Sequence, residues 1–233
     1  KRLGIKPERE VRIIFGCDEE SGFEDLKYYL DYEKAPIAGF TPDCKYPVVY
    51  AERGRAVIKV KADLDHLITF LNKYILNTQN KGERLGIDYK NDEFGQLEIR
   101  NYHLTKEDFS FSISYPAGIT LEEILDKLNR IEGYEYEVVS HFKPVYFDKK
   151  APMVEIMKET YEYVTGNDGT PVTTTGGTYA KMMPHIVPFG PSFPGQKGIG
   201  HNPNEWMTRE DLITNAKIYA LTLYQLSRKE TEL

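Results

Sequence analysis

Glu10-Val-Arg-Ile-Ile-Phe-Gly-Cys-Asp-Glu-Glu-Ser-Gly22 is the stretch whose reading decides the fold. Its apolar run with β-branched residues, Val11 to Phe15, predicts a buried strand of a mostly parallel sheet. Gly16 ends the run, the carboxylates Asp18, Glu19 and Glu20 follow, and Gly22 leads into a helix-like segment, Phe23 to Tyr32. In open α/β sheets, ligands bind beyond the carboxyl ends of the strands. Three acids packed there repel one another unless a cation or a retained proton relieves them. The same acids also suit the solvated first turn of a helix. Local sequence does not choose between the two.

Downstream, Phe23 to Lys34 keeps helical spacing until Ala35-Pro36 stops it. In Phe40-Thr-Pro-Asp-Cys-Lys-Tyr-Pro47, two prolines flank Asp43, and such a stiff connector can hold one carboxylate in a fixed direction. An ordinary Pro-Asp turn accounts for the same residues. From Arg55 the pattern changes. Ala56 to Lys61 alternates as a strand, Ala62 to Leu76 is amphipathic, and Gln96 to Leu104 and Phe109 to Tyr115 alternate again. Thr120 and Glu123 form a capping-box pattern, Gly133 reads as the end of that helix, and Tyr134 to His141 alternates. The order βαββαβ is the ferredoxin-like plan. The expected architecture is therefore a larger α/β domain, residues 1–51 and 143–233, interrupted by a small ferredoxin-like domain at 52–142.

In the second part, Pro152 to Val164 is helical, and Gly176-Gly177 precedes a second helix-like start. Glycine there lets backbone N–H groups approach a bound carboxylate or oxyanion; close strand–helix packing is the other reading. Thr208 caps a long final helix, Arg209 to Ser227, with an expected apolar stripe of Leu212, Ile213, Ala216, Tyr219, Ala220 and Leu223.

Of 233 residues, 40% are hydrophobic and 12% aromatic, which supports a packed core. A formal charge of −6 argues against nucleic acid and an anionic membrane surface as partners. Two cysteines make no disulfide framework, and no apolar run reaches membrane-spanning length, so a reducing cytoplasmic setting is expected. Of five histidines, His201 stands apart, in a glycine- and proline-rich loop before the capped helix. Glu19, Glu20, Asp43 and His201 together are what a carboxylate-rich, two-metal hydrolase would use.

The strings Ile14-Phe-Gly-Cys-Asp-Glu-Glu-Ser-Gly22, Phe40-Thr-Pro-Asp-Cys-Lys-Tyr-Pro47, Gly176-Gly-Thr-Tyr-Ala180, Phe189-Gly-Pro-Ser-Phe-Pro-Gly195 and His201-Asn-Pro-Asn-Glu205 closely resemble the PepV-type zinc dipeptidases. These are the bacterial Xaa-His, or carnosinase-like, branch of the aminoacylase/desuccinylase clan. The resemblance implies hydrolysis of dipeptides at a site of two zinc ions, with cobalt or manganese as alternatives. By that resemblance Glu19 is the general base, Glu20 and His201 hold one ion, and Asp43 holds the other. Gly176, Gly177 and Thr178 border the substrate. The family's His-x-Asp strand and bridging Asp have no counterpart, so the chain reads as amino-terminally incomplete and inactive alone. The resemblance makes residues 1–51 and 143–233 the catalytic domain and the inserted 52–142 its ferredoxin-like lid, shortened after its first strand. The family's Arg-Tyr-Pro, which holds the substrate carboxylate, stands here as Ser114-Tyr-Pro116. A desuccinylase or deacetylase of the same clan, and a non-catalytic binding relative, are the alternatives. Oligomeric state, monomer or homodimer, is left open by the sequence.

Overall fold

The computed structural model describes residue 4 and residues 6–196 and 200–231. In chain order these form α1 (Glu24–Tyr32), β1 (Gly39–Thr41), β2 (Val49–Glu52), β3 (Gly54–Lys61), α2 (Leu64–Phe70), β4 (Lys90–Asn91), β5 (Gly95–Gln96) and β6 (Glu98–Leu104). They continue as β7 (Asp108–Tyr115), α3 (Leu121–Leu128), β8 (Glu135–Phe142), β9 (Val145–Tyr146), α4 (Pro152–Thr165), β10 (Val172–Thr174), β11 (Ile186–Pro188) and α5 (Arg209–Leu226). The chain divides into two compact units. One takes the described residues of Lys1–Ala51, Phe147–Val172 and Gly177–Leu233, the other Glu52–Tyr146 with Thr173–Gly176.

The second unit is built on an antiparallel four-stranded sheet, order β6-β7-β3-β8. Strand β3 alternates as its sequence does: Ala56, Ile58 and Val60 are buried while Arg55 and Lys61 are exposed. Phe109, Phe111, Ile113 and Tyr115 of β7 point into the same core, which α2 closes with Leu67 and Phe70, and α3 with Leu121, Ile124 and Leu128. Both halves of the capping box at Thr120 and Glu123 form. The helix stops at Leu128, short of Gly133, which instead takes a positive φ in the turn before β8. Helix α2 is likewise shorter than its amphipathic stretch, because Leu71–Ile75 widens into a π-helical turn.

The first unit pairs β1 with β11 in parallel, Phe40 opposite Val187. Parallel pairing is thus seen in this pair and in the bridge Lys45–Ser192, a three-stranded sheet runs in the order β10-β2-β9, and the four-stranded sheet is antiparallel. Its core joins Tyr46, Val48, Met153, Met157, Tyr161, Phe189 and Ile218. Val11 to Phe15, read as a buried strand, is not one. The backbone there is irregular, and Ile13 and Phe15 are 71% and 93% exposed. A strand exists only by sharing hydrogen bonds with a neighbour, and among the described residues none pairs with it.

Helix α5 also buries a different face from the one its apolar residues mark. Asn215, Ile218, Thr222 and Leu226 face inward, whereas Leu212 and Ile213 are exposed. Two hydrogen bonds explain the rotation. Asn215 accepts from the Tyr46 hydroxyl at 2.6 Å and donates to the Pro191 carbonyl at 3.1 Å, so a polar residue is satisfied in the core. Asn215→Leu leaves the buried Tyr46 hydroxyl without its acceptor. It should lower the chain's stability by about 2 kcal/mol in urea unfolding.

Candidate functional site

The acidic turn is tightly wound. The Asp18 carbonyl accepts from the amides of Ser21, Gly22 and Phe23 at 3.0–3.2 Å. The Asp18 carboxylate accepts from Glu24 N at 2.9 Å, so it caps α1 in place of Phe23, whose φ is 67°. The local reading of these acids as a helix start therefore holds for Asp18. Glu19 and Glu20 are left to point elsewhere.

Asp43 lies two residues beyond the carboxyl end of β1. Its loop is tied down on both sides: Phe189 N donates to Thr41 O at 2.9 Å, Gly190 N to Lys45 O at 3.1 Å, and Tyr46 N to Ser192 O at 2.7 Å. Gly190 is required there, with φ 73° and a Cβ that would fall 2.5 Å from the Tyr46 ring. His201 sits in the segment before α5 in a left-handed conformation, φ 57°, stabilised locally by Asn202, whose amide donates to Gly200 O at 2.7 Å. Gly198 and Ile199 of that loop lie outside the described residues.

These segments meet. His201 Nδ1 is 3.6 Å from Glu20 Oε1, both side chains being well exposed. The carboxyls of Glu19 and Asp43 lie close enough to shift each other's titration. Desolvation, then the charges of Asp43 and Glu20, push the Glu19 carboxyl up to about 7. Asp43 is raised as well. It keeps an exposed surface, yet partial desolvation of its carboxyl comes first and the charge of Glu20 second. Two carboxyls raised by desolvation and by neighbouring negative charge belong to a set that a cation would relieve, and oxygen plus imidazole donors suit divalent zinc, cobalt or manganese. The fit is one of donor type: among the described residues, no three of His, Cys, Asp and Glu are gathered closely enough to hold a metal ion.

Because the folded chain binds the Glu19 proton more tightly than the unfolded one, this carboxyl's favourable contribution is full below pH 4.5 and lost above pH 7. In the metal-free chain, Glu19→Gln should therefore raise stability at pH 8 by about 1 kcal/mol, after discounting for solvent at a partly exposed group, and leave it unchanged at pH 4. Thermal unfolding at the two pH values measures this.

The other expected site residues are placed separately. Thr178 is buried, and its hydroxyl accepts from Ala180 N at 3.2 Å, capping a short 3₁₀ turn, Tyr179–Lys181, where a second helix start was expected. Gly177, in the same unit, is exposed. Gly176 belongs to the second unit, as does Ser114. Ser114 is buried in β7 between Arg55 and Glu98 in the register, and its hydroxyl has no hydrogen-bond partner among the described residues. Sequence reasoning passed over Asp25 and Tyr179. Their hydroxyl–carboxylate hydrogen bond, 2.6 Å, reaches across 154 residues to the acidic turn. An acid in a helix's first turn is ordinary, and Tyr179 is one of 17 tyrosines, so nothing local distinguished either.

The chain belongs to peptidase family M20/M25/M40, whose family model matches residues 1–225. Peptidases of this family are generally dependent on two metal ions. A predicted dipeptidase of Staphylococcus saprophyticus is 26% identical over 98% of this chain and 72% of its own length. The Beta-Ala-Xaa dipeptidase of Lactobacillus delbrueckii subsp. lactis is 23% identical over 99% and 71%. A predicted dipeptidase of Staphylococcus aureus is 28% identical over 99% of this chain but 55% of its own length. The alignment with the Staphylococcus saprophyticus protein runs over 337 residues, so that relative carries segments absent here. A tripeptidase structure from Staphylococcus aureus superposes with a TM-score of 0.63 at 16% identity, covering 90% of this chain and 62% of that one, which establishes the mixed α/β fold of the family. Family and relatives together support a metallopeptidase of the dipeptidase kind. No helix among the described residues is long and apolar enough to cross a membrane.

Proposed function

We propose that this protein hydrolyses dipeptides with a free amino end, in the manner of the PepV-type branch, and acts in the cytoplasm. One observation carries the reading: the four side chains meet as two pairs, Glu20 with His201 and Glu19 with Asp43, from three segments far apart in sequence. Glu20 and His201 are assigned to one ion and Asp43 to the other, with zinc as the metal. Divalent ions bound there would polarise the amide carbonyl and the attacking water and offset the carboxylates' mutual repulsion. Glu19 takes the proton from that water and delivers it to the leaving amine nitrogen, a task suited to a base tuned toward neutral pH. Gly176, Gly177 and Thr178 border the substrate. Residues 52–142 serve as the ferredoxin-like lid between catalytic segments 1–51 and 143–233. Ser114 stands at the position of the arginine that holds the substrate carboxylate in the family, and a serine hydroxyl makes one neutral hydrogen bond where a guanidinium makes two charged ones.

A catalytic zinc has three protein ligands, and the assignment supplies two to one ion and one to the other. The 233-residue chain by itself is therefore expected to hold zinc weakly and not to turn over. Activity tests belong on a form of the protein in which each zinc has its complete ligand set. A panel of free dipeptides, N-succinyl amino acids and N-acetyl amino acids, each assayed with saturating zinc, decides the class. The reading predicts turnover of free dipeptides only. Turnover of acyl-amino acids alone assigns a desuccinylase or deacetylase, and tight dipeptide binding without hydrolysis assigns a binding relative.

A further inference from the structure

The turn that carries Glu19 and Glu20 is exposed, and its internal bonds converge on the single Asp18 carbonyl. What fixes it to the fold comes from elsewhere. Asp25 Oδ2, on α1, accepts from Cys17 N at 2.6 Å, from Asp18 N at 3.1 Å and from the Tyr179 hydroxyl at 2.6 Å. Its Oδ1 accepts from Leu26 N at 2.8 Å. The Tyr179 oxygen itself accepts from Asp18 N at 3.2 Å, and its ring lies 5.6 Å from that of Phe23. Gly16 leaves room for this arrangement, since a Cβ there would stand 2.1 Å from the Tyr179 oxygen.

We propose that Asp25 and Tyr179 are positioning residues that clamp the Cys17–Asp18 backbone, and thereby hold the Glu19 and Glu20 carboxylates in working orientation. The proposal rests on the hydrolase reading above. Four donors on one carboxylate are more than a helix-start acid needs, and three of them have no part in stabilising α1. Desolvation opposes the charge on Asp25, but the hydrogen bonds from Tyr179, Cys17 and Asp18 outweigh it and hold the carboxyl below its usual range. Tyr179 directly follows Thr178, so the clamp joins the substrate-side loop to the turn bearing the base. A base displaced by about 1 Å loses on the order of a hundredfold in rate, which is why a clamp one residue from Glu19 matters.

Amide hydrogen exchange at Cys17 and Asp18 in the metal-free 233-residue chain tests the clamp independently of any activity. Asp25→Asn should speed exchange there about tenfold, and Tyr179→Phe several-fold. Tyr179→Phe keeps the ring packing and carries the test should Asp25→Asn fail to fold. In the protein with its complete ligand set, both variants should lower kcat about tenfold and leave KM within about twofold, with rates scaled to the folded fraction measured by circular dichroism so that loss of general stability is removed from the comparison. Unchanged exchange in both variants, or unchanged kcat, overturns the proposal. Absence of dipeptide hydrolysis in the unsubstituted protein would refute the hydrolase reading instead, and the exchange result would still decide whether the clamp exists.

Discussion

Glu19→Gln lowers kcat for a free dipeptide about a thousandfold in the enzyme with its complete ligand set, with zinc content unchanged. Glutamine keeps the size and hydrogen-bonding reach of glutamate but cannot accept the proton of the attacking water, and general-base contributions run to roughly 10²–10⁴. In the proposed assignment Glu19 is the base and not a ligand: it lies against Asp43, whereas Glu20 is the carboxylate beside His201. KM should stay within about threefold, because the interaction removed is made in the transition state. Elemental analysis alongside the kinetics checks both halves. Loss of zinc equal to the loss of rate would show that Glu19 is a ligand.

Glu20→Gln should give the opposite signature. Removing one charged ligand from a site with few protein donors lowers zinc affinity by about a hundredfold or more, and activity falls with it. Added zinc should restore part of the rate to Glu20→Gln and none to Glu19→Gln. A zinc titration of activity in the two variants separates the roles, and identical responses would refute the division.

Much of the secondary structure could be read from local chemistry. The Thr120–Glu123 box and the alternation of Ala56 to Lys61 form as expected, because each depends on residues adjacent in sequence or on a period the pleat imposes. Where the reading failed, a distant partner decided. Val11 to Phe15 has the composition of a buried strand, but a strand needs a neighbour, and composition does not supply one. On α5, apolar count pointed to Leu212 and Ile213, while the core recruits Asn215 through the hydroxyl of Tyr46, 169 residues away. The site shows the same division. Proximity of Asp43 and His201 to the acidic turn followed from family resemblance rather than from spacing. Asp25 and Tyr179, which the resemblance did not mark, emerged only from hydrogen bonds.

The central claim is that Glu20 and His201 form one metal position. Calorimetric titration of zinc into the 233-residue chain, its Glu20→Gln variant and its His201→Ala variant tests it most directly. The account predicts one weakly held zinc in the unsubstituted chain, lost in both variants. Zinc binding that neither substitution alters would contradict it.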